Sequence, residues 1–206
     1  FCQGVLLFFY MDQAVNSLEH LLGTVKTNYP NAEFQGIRDA FEFARTAHEG
    51  QMRKSGEPYF NHAYNTGLLL AEWRMSPAMI MAGILHDVPE DTKHTIEDIR
   101  KNFGGDVASM VEGETKLSQL KYRGAERYAE NLRKMFFSIA KDVRIVIVKF
   151  ADRIDNLRTL FIFPEEKKRR IALESLEIYA PIANRLGMGV IRRELEDRSF
   201  KYVFPK

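Results

Sequence analysis

The sequence is poor in the features that mark several classes of protein. Its one cysteine, Cys2, excludes an intramolecular disulfide framework and fits a reducing compartment. The apolar opening, residues 1–10, is too short to span a bilayer and lacks the basic region and small-residue cleavage site of a signal peptide. These missing export signals predict a cytoplasmic protein with no membrane association.

The charge balance is nearly neutral. The chain has 30 basic and 28 acidic residues and a net charge of +2, so nothing in its overall charge favours direct nucleic-acid binding. No repeat or low-complexity segment stands out. Since 206 residues with 45% hydrophobic content can bury a core, we expect one domain with a C-terminal extension. Met11 is the expected natural start, with residues 1–10 as an upstream extension, and residues 1–11 are expected to lie outside the fold.

Apolar residues recur at helical spacing in residues 15–25 and 34–47, which predicts two amphipathic helices. His48 closes the second of them, where a cation or a bond to the last carbonyls is favourable. Residues 116–128 mix charge with a glycine and lack an apolar period, so we expect them to be exposed.

Other local signals mark helix ends and bends. Thr95 and Asp98 approximate a capping box at the start of a helix. Pro181 is expected to kink a helix in the C-terminal part of the chain.

Four ionisable side chains follow an apolar run in residues 84–92, ILHDVPEDT, and they are His86, Asp87, Glu90 and Asp91. Burying such a cluster is costly unless a cation or a substrate compensates its charge, so the stretch indicates a site. Pro89 removes an amide donor and clashes with the preceding turn. We therefore predict that the helix ends near His86 and Asp87 and that Pro89 opens a short turn carrying the two later acids.

A basic loop precedes this stretch, in residues 50–59. Its two glycines and its proline predict a loop, and Arg53 and Lys54 suit a phosphate or a nucleotide base. A solvated basic loop is the alternative interpretation. The helix that follows begins near His62, which is either a buried core histidine or a ligand.

A second polar stripe occurs in residues 145–160, where the pattern is helical beyond residue 148. Asp152, Asp155, Asn156 and Thr159 share one face of that helix. Such a stripe suits a metal ligand at Asp152 and nucleotide contacts from Asn156 and Thr159. The alternative is a polar network that satisfies itself between helices.

Two imidazoles and two carboxylates, from His62, His86, Asp87 and Asp152, make a mixed nitrogen and oxygen set. This set fits manganese, iron or zinc. A bound ion would acidify water and offset charge on a phosphorus centre, while Glu90 and Asp91 orient the water or move protons. The arrangement therefore favours hydrolysis of a phosphate ester or anhydride.

Several motifs in order resemble the hydrolase domain of the RelA/SpoT family. They are RKSGEPY at 53–59 with His62, HDVPEDT at 86–92, ENLRKM at 130–135, VKFADR at 148–153 and NLRTL at 156–160. EIYAPIANRLG at 177–187 and ELED at 194–197 resemble the segment that follows this domain in long members. The resemblance covers nearly all of residues 12–206.

The resemblance implies an all-α HD-domain helical bundle that uses manganese to remove the 3′-pyrophosphate from guanosine tetra- and pentaphosphate, giving GDP or GTP. It implies His62, His86, Asp87 and Asp152 as metal ligands and Glu90 and Asp91 as catalytic residues. Around the guanosine it places Arg53, Lys54, Ser55, Asn156 and Thr159. It assigns the hydrolase domain to residues 12–160 and to 161–206 a helical extension that resembles the linker to a synthetase domain. Two alternatives stay open: the chain is a fragment of a bifunctional enzyme with synthetase and regulatory domains, or it is a hydrolase-only protein.

Four positions depart from the family pattern: Ala63, Pro89, Asp155 and Asn184. Asp155, which stands where histidine is common, adds a carboxylate to the active stripe and is expected to alter metal preference or pH response. Two alternatives to alarmone hydrolysis stay open. One is an HD phosphohydrolase of another nucleotide, and the other is a catalytically weak regulatory domain that binds the alarmone.

Overall fold

The computed structural model describes residues 17–30, 33–118 and 140–205. Within these ranges the chain forms helices and no β-strand, which confirms the predicted all-α class. The expected N-terminal extension and the ENLRKM motif lie outside the described residues, as does most of the charged segment at 116–128 that we expected to be exposed. The chain divides into two compact units, residues 1–51 with 58–111 and residues 52–57 with 112–206.

The first unit contains the helices expected from the early apolar periods and from the HDVPEDT stretch. They are α1 (Leu18–Asn28), α2 (Gln35–Ala47), α3 (Phe60–Glu72), α4 (Pro77–Leu85), α5 (Val88–Asp91) and the start of α6 (Ile96–Ser118). The predicted capping box at α6 is present, because the Thr95 amide donates to Asp98 Oδ2 at 2.7 Å and Thr95 Oγ1 accepts from the Asp98 amide at 3.2 Å. Gly104 interrupts α6 with a φ of 86°.

The second unit contains the end of α6 and the helices of the C-terminal half. They are α7 (Val143–Arg158), a 3-10 turn (Leu160–Ile162), α8 (Glu165–Glu174), a π-helical turn (Ser175–Tyr179), α9 (Ala180–Arg185) and α10 (Gly189–Val203). Helix α10 packs against α7, α8 and α9. Pro181 predicts an irregular helix. The π-helical turn lies shortly before this proline and ends two positions before it.

Helices α3 and α4 pack closely in the first unit, and glycines permit the approach. A Cβ atom added at Gly67 would clash with the Ile84 side chain, and one added at Gly83 would clash with Leu70. Helix α3 carries His62 near its start, and α4 ends directly before His86. The close crossing therefore fixes the distance between the two histidines.

The end of α4 confirms the break predicted from proline. The helix stops at Leu85, His86 is its C-terminal cap, and the four-residue α5 starts at Val88 with Pro89 in its first turn. Proline is tolerated there because the first amides of a helix have no intrahelical partner. The short helix turns the chain and presents Glu90 and Asp91.

None of the helices in the described ranges is both long enough and apolar enough to cross a membrane.

Gly83→Ala tests the crossing. We expect this change to lower the free energy of unfolding by about 1–3 kcal/mol, because the added methyl group overpacks the core against Leu70. Gly23→Ala is the matched control, since nothing lies within 4 Å of a Cβ at Gly23 on α1. Urea unfolding of both variants measures the difference. Equal stability of Gly83→Ala and wild type would contradict the close crossing.

Candidate metal centre and active site

Three of the predicted metal ligands meet in the first unit. Asp87 Oδ2 lies 3.4 Å from His62 Nε2, and Asp87 Oδ1 lies 3.2 Å from His86 Nε2. One ligand atom from each of the three residues can be chosen so that all lie within 4.8 Å of one another. The two histidines are almost fully buried, at 2% and 0% exposure, while the Asp87 side chain keeps 17%. The trio is therefore a compact donor set with access from one side.

The orientation of the His86 ring is set by the backbone. His86 Nδ1 lies 2.8 Å from the Gly83 carbonyl oxygen, which can only accept, so Nδ1 carries the proton. In the neutral ring the lone pair then belongs to Nε2, the atom that faces Asp87. Metal-binding histidines are usually held in this manner, with the second ring nitrogen donating to a carbonyl or carboxylate.

Asp87 is held in its ionised form. Burial alone would raise the pKa of Asp87, but in the absence of a metal ion the positive charges of the protonated His86 and His62 rings, with their hydrogen bonds, outweigh burial and lower that pKa well below its usual range. An ionised carboxylate between two imidazoles is the form that binds a divalent cation.

Tyr59 joins this trio to the predicted catalytic acid. Its hydroxyl oxygen lies 2.8 Å from Asp87 Oδ2 and 2.5 Å from Asp91 Oδ2. Burial and the two carboxylates raise the pKa of Tyr59, so the hydroxyl keeps its proton. Asp91 is further tied at its backbone, because Gln51 Nε2 donates to the Asp91 carbonyl at 2.7 Å. His48, the predicted cap of α2, bonds Gln51 Oε1 through Nδ1 at 2.8 Å and stacks on the Tyr59 ring.

Glu90, the other predicted catalytic residue, lies next to Asp91 on α5 and is exposed to solvent. Its position on the four-residue helix leaves its carboxylate at the surface of the first unit.

Asp152 lies in the second unit, on α7, and is buried. Its Oδ2 accepts from Lys149 Nζ at 2.6 Å, and its Oδ1 accepts from Asn156 Nδ2 at 2.5 Å. The polar stripe on this helix thus includes hydrogen bonds among its own side chains. The assignment of Asp152 as a fourth ligand stays a prediction.

Arg53 reaches the same helix within the second unit. Arg53 Nη1 donates to Asp155 Oδ2 at 3.0 Å, and Arg53 Nη2 donates to Asn156 Oδ1 at 2.6 Å. Asp155 is buried and Arg53 is largely shielded, with 2% and 13% of their side chains exposed. Asp155, the departure from the family pattern, therefore anchors the guanidinium and fixes the plane of its fork.

The remaining predicted substrate residues also belong to the second unit. Lys54 is exposed and its Nζ lies 5.9 Å from the centre of the Phe163 ring. Ser55 Oγ donates to Glu57 Oε1 at 2.7 Å, and Thr159 Oγ1 donates to the Asn156 carbonyl at 3.4 Å. Asn156 is therefore bonded to both Arg53 and Thr159, while Lys54 and Ser55 contact other residues of the second unit.

Comparison with known proteins identifies the family of this chain. Residues 40–189 match the model of the HD domain family. The chain belongs to the HD domain family. HD-domain hydrolases depend on a metal, and the His and Asp cluster of this chain is a possible site for one.

Two curated bacterial proteins are similar over most of the chain. One is a guanosine-3′,5′-bis(diphosphate) 3′-pyrophosphohydrolase of Aquifex aeolicus, 46% identical over 92% of this chain and 27% of its own length. The other is the bifunctional (p)ppGpp synthase/hydrolase SpoT of Escherichia coli, 43% identical over 95% of this chain and 27% of its own length. The chain thus spans about a quarter of the length of these relatives, and the predicted resemblance to RelA/SpoT proteins is confirmed.

A solved structure shares the fold. It is a metazoan SpoT ortholog described as hydrolysing ppGpp, and it matches with a TM-score of 0.52 and 25% sequence identity. The match covers 82% of this chain and 88% of the other.

The donor set of this HD domain fits a divalent transition metal. Two imidazole nitrogens and a carboxylate suit manganese, iron or zinc, and the bond from His86 Nδ1 to the Gly83 carbonyl aims the second nitrogen toward Asp87. His62, His86 and Asp87 would hold the ion.

Sequence reasoning assigned no role to Tyr59, although its hydroxyl bridges Asp87 and Asp91, a predicted metal ligand and a predicted catalytic residue. A signal was available, because Tyr59 precedes His62 by three positions and therefore lies one helical turn away at the start of α3. Its two partners, Asp87 and Asp91, are the N-terminal cap and the last residue of α5. Because α4 separates α5 from Tyr59 in the chain, helical periodicity alone could not identify them.

Tyr59→Phe tests this bridge. Removing the hydroxyl leaves the ring in place but frees Asp87 and Asp91 from their shared partner, so we expect metal affinity to fall about 10- to 100-fold. Equilibrium dialysis against Mn²⁺ measures the affinity. Tyr64→Phe is the control, because that hydroxyl bonds His20 Nδ1 at 2.9 Å. An unchanged affinity in Tyr59→Phe would remove Tyr59 from the site.

Proposed function

We propose that this chain catalyses the manganese-dependent hydrolysis of guanosine 3′,5′-bis(diphosphate) and its pentaphosphate counterpart. Water adds its oxygen to phosphorus, the ester bond at the 3′ oxygen breaks, and the products are GDP or GTP and pyrophosphate. The observation that carries the proposal is the buried trio of His62, His86 and Asp87, with the His86 tautomer fixed by Gly83. The names of the relatives supply the substrate class.

The metal centre has four proposed ligands. They are His62, His86, Asp87 and Asp152, the set that the family resemblance implies. Asp152 is a buried carboxylate on α7, and carboxylate oxygens are among the ligands that divalent transition metals accept. Manganese is favoured among the ions that suit a mixed nitrogen and oxygen set, in keeping with the family resemblance.

A divalent ion bound there would lower the pKa of a water molecule and offset charge on the phosphorus. The residues of the chain then manage the proton and the geometry. Asp91, held by Tyr59 and by Gln51, is placed to accept the proton of the attacking water. Glu90, exposed on the same short helix, is placed to pass a proton to solvent or to orient the water.

The guanosine is assigned to residues of the second unit. Arg53, anchored by Asp155 and Asn156, presents a planar guanidinium on which a base can stack. Lys54 offers an exposed cation to a phosphate group, and Ser55, Asn156 and Thr159 offer hydroxyl and amide groups. Because Asp155 offsets the charge of Arg53, we assign Arg53 to the base and Lys54 to phosphate.

Several broader assignments accompany this proposal. Residues 12–160 form the HD hydrolase domain, and 161–206 form an extension resembling the linker to a synthetase domain. We propose that the chain is part of a longer protein with synthetase and regulatory domains, which fits the greater length of the relatives. The protein acts in the cytoplasm, without direct nucleic-acid or membrane binding.

Metal-stripped protein tests the reaction. Pyrophosphate release from guanosine tetraphosphate is measured with manganese, magnesium, zinc or no metal added back, and we expect manganese to restore turnover. Faster release from another nucleotide would favour a different HD phosphohydrolase. Tight nucleotide binding without turnover in any metal would favour a regulatory binding domain instead.

Asp152→Ala should abolish manganese-dependent turnover, because removal of a ligand carboxylate leaves the ion incompletely held. Asp197→Ala is the matched control, since Asp197 is exposed on α10. Manganese affinity and turnover are measured together on folded protein. Unchanged activity in Asp152→Ala would contradict its role as a ligand.

Asp155→Asn tests the anchored guanidinium. Breaking the buried pair should lower the free energy of unfolding by about 3–5 kcal/mol, since Arg53 loses its compensating charge. We expect the KM for guanosine tetraphosphate to rise with little change in kcat, because Arg53 is assigned to binding. Glu165→Gln, which removes an exposed partner of Lys168, is the control. A lower kcat with an unchanged KM would oppose the assignment.

A further inference from the structure

Lys149 is buried on α7, although lysine is rarely found in a protein interior. Its Nζ donates to Glu114 Oε1 at 2.9 Å, to Ser118 Oγ at 2.7 Å and to Asp152 Oδ2 at 2.6 Å. Because an ammonium group has three N–H donors, these bonds use its full capacity. All four residues belong to the second unit.

The ammonium is charged in this setting. Burial alone would lower the pKa of Lys149, but Asp152 and Glu114 outweigh burial and raise that pKa well above its usual value. Ser118 Oγ donates in turn to Glu114 Oε1 at 2.8 Å, so lysine, glutamate and serine form a closed triangle. The triangle fixes the place of Nζ relative to α6.

The fixed ammonium in turn fixes the carboxylate of Asp152. Lys149 holds Oδ2, and Asn156 Nδ2 holds Oδ1, so bonds at both oxygens define the plane of the group. A carboxylate ligand is commonly hydrogen-bonded by outer residues that set its orientation toward the metal. Lys149 also lies three positions before Asp152, one turn along the same helix, which keeps their spacing short.

We propose that Lys149, braced by Glu114 and Ser118, is a positioning residue that orients the Asp152 carboxylate for the metal ion. This inference rests on the proposed function, since it requires Asp152 to be a ligand. Lys149 acts through Asp152 and touches neither the ion nor the substrate. Its removal therefore weakens metal binding and leaves the chemistry of a fully loaded enzyme largely intact.

A purely structural role would also make Lys149 important, because its loss leaves Glu114 and Asp152 buried without their cation. The double variant Lys149→Met with Glu114→Gln separates the two roles. It removes the cation and one of the two carboxylates together, so it should be more stable than Lys149→Met alone. It cannot restore the bond that orients Asp152.

The experiment measures melting temperature, Mn²⁺ affinity by the electron paramagnetic resonance signal of the free ion, and pyrophosphate release across a range of Mn²⁺ concentrations. The proteins are wild type, Lys149→Met, the double variant and Asp152→Ala. Lys116→Met is the matched control, because Lys116 pairs with Glu112 at the exposed surface of α6. We expect about 10- to 100-fold weaker Mn²⁺ binding in Lys149→Met and in the double variant. Excess Mn²⁺ should restore their turnover.

Recovery of both melting temperature and wild-type Mn²⁺ affinity in the double variant would overturn the inference and leave Lys149 with a structural role. Wild-type Mn²⁺ affinity in Lys149→Met would overturn the inference as well. If Asp152→Ala has nevertheless lost Mn²⁺ binding, Asp152 is still a ligand and the proposed function stands. If wild type itself binds no Mn²⁺ and releases no pyrophosphate, the proposed function fails and the positioning role fails with it.

Discussion

The close approach of α3 and α4 at Gly67 and Gly83 is the constraint on which the candidate metal centre depends. Neither position has room for a methyl group. A larger residue at either one would push the two helices apart and open the core. The crossing sets the distance between His62 and His86, and the Gly83 carbonyl sets the orientation of the His86 ring. Packing and coordination geometry are therefore specified by the same few residues.

Each of the two units contains charges that would be costly to bury without compensation. Asp87 is stabilised by two imidazoles, Asp155 by Arg53, and Glu114 and Asp152 by Lys149. Each of these groups is buried or nearly so, and each has a partner of opposite or complementary character. Such an arrangement is characteristic of a functional site, because apolar residues would fill the same space at lower cost.

Sequence reasoning predicted much of the fold because its signals were local. The apolar periods located α1, α2 and α7, the Thr95 capping box located the start of α6, and Pro89 located the break between α4 and α5. The trio of His62, His86 and Asp87 was also predicted, since clustered acids and imidazoles next to apolar runs are conspicuous. The partners of Tyr59, Arg53 and Lys149 were not, because each contact joins segments whose approach depends on tertiary packing.

The Gly83 carbonyl has a consequence for how this protein can vary. A glycine codon becomes an alanine codon by one base change, so a single mutation can introduce the methyl group that the crossing excludes. An extra methyl group there would disturb the core and shift the backbone oxygen that holds His86. Selection for folding at this position therefore also preserves the imidazole, even in a lineage where the reaction itself is under little selection.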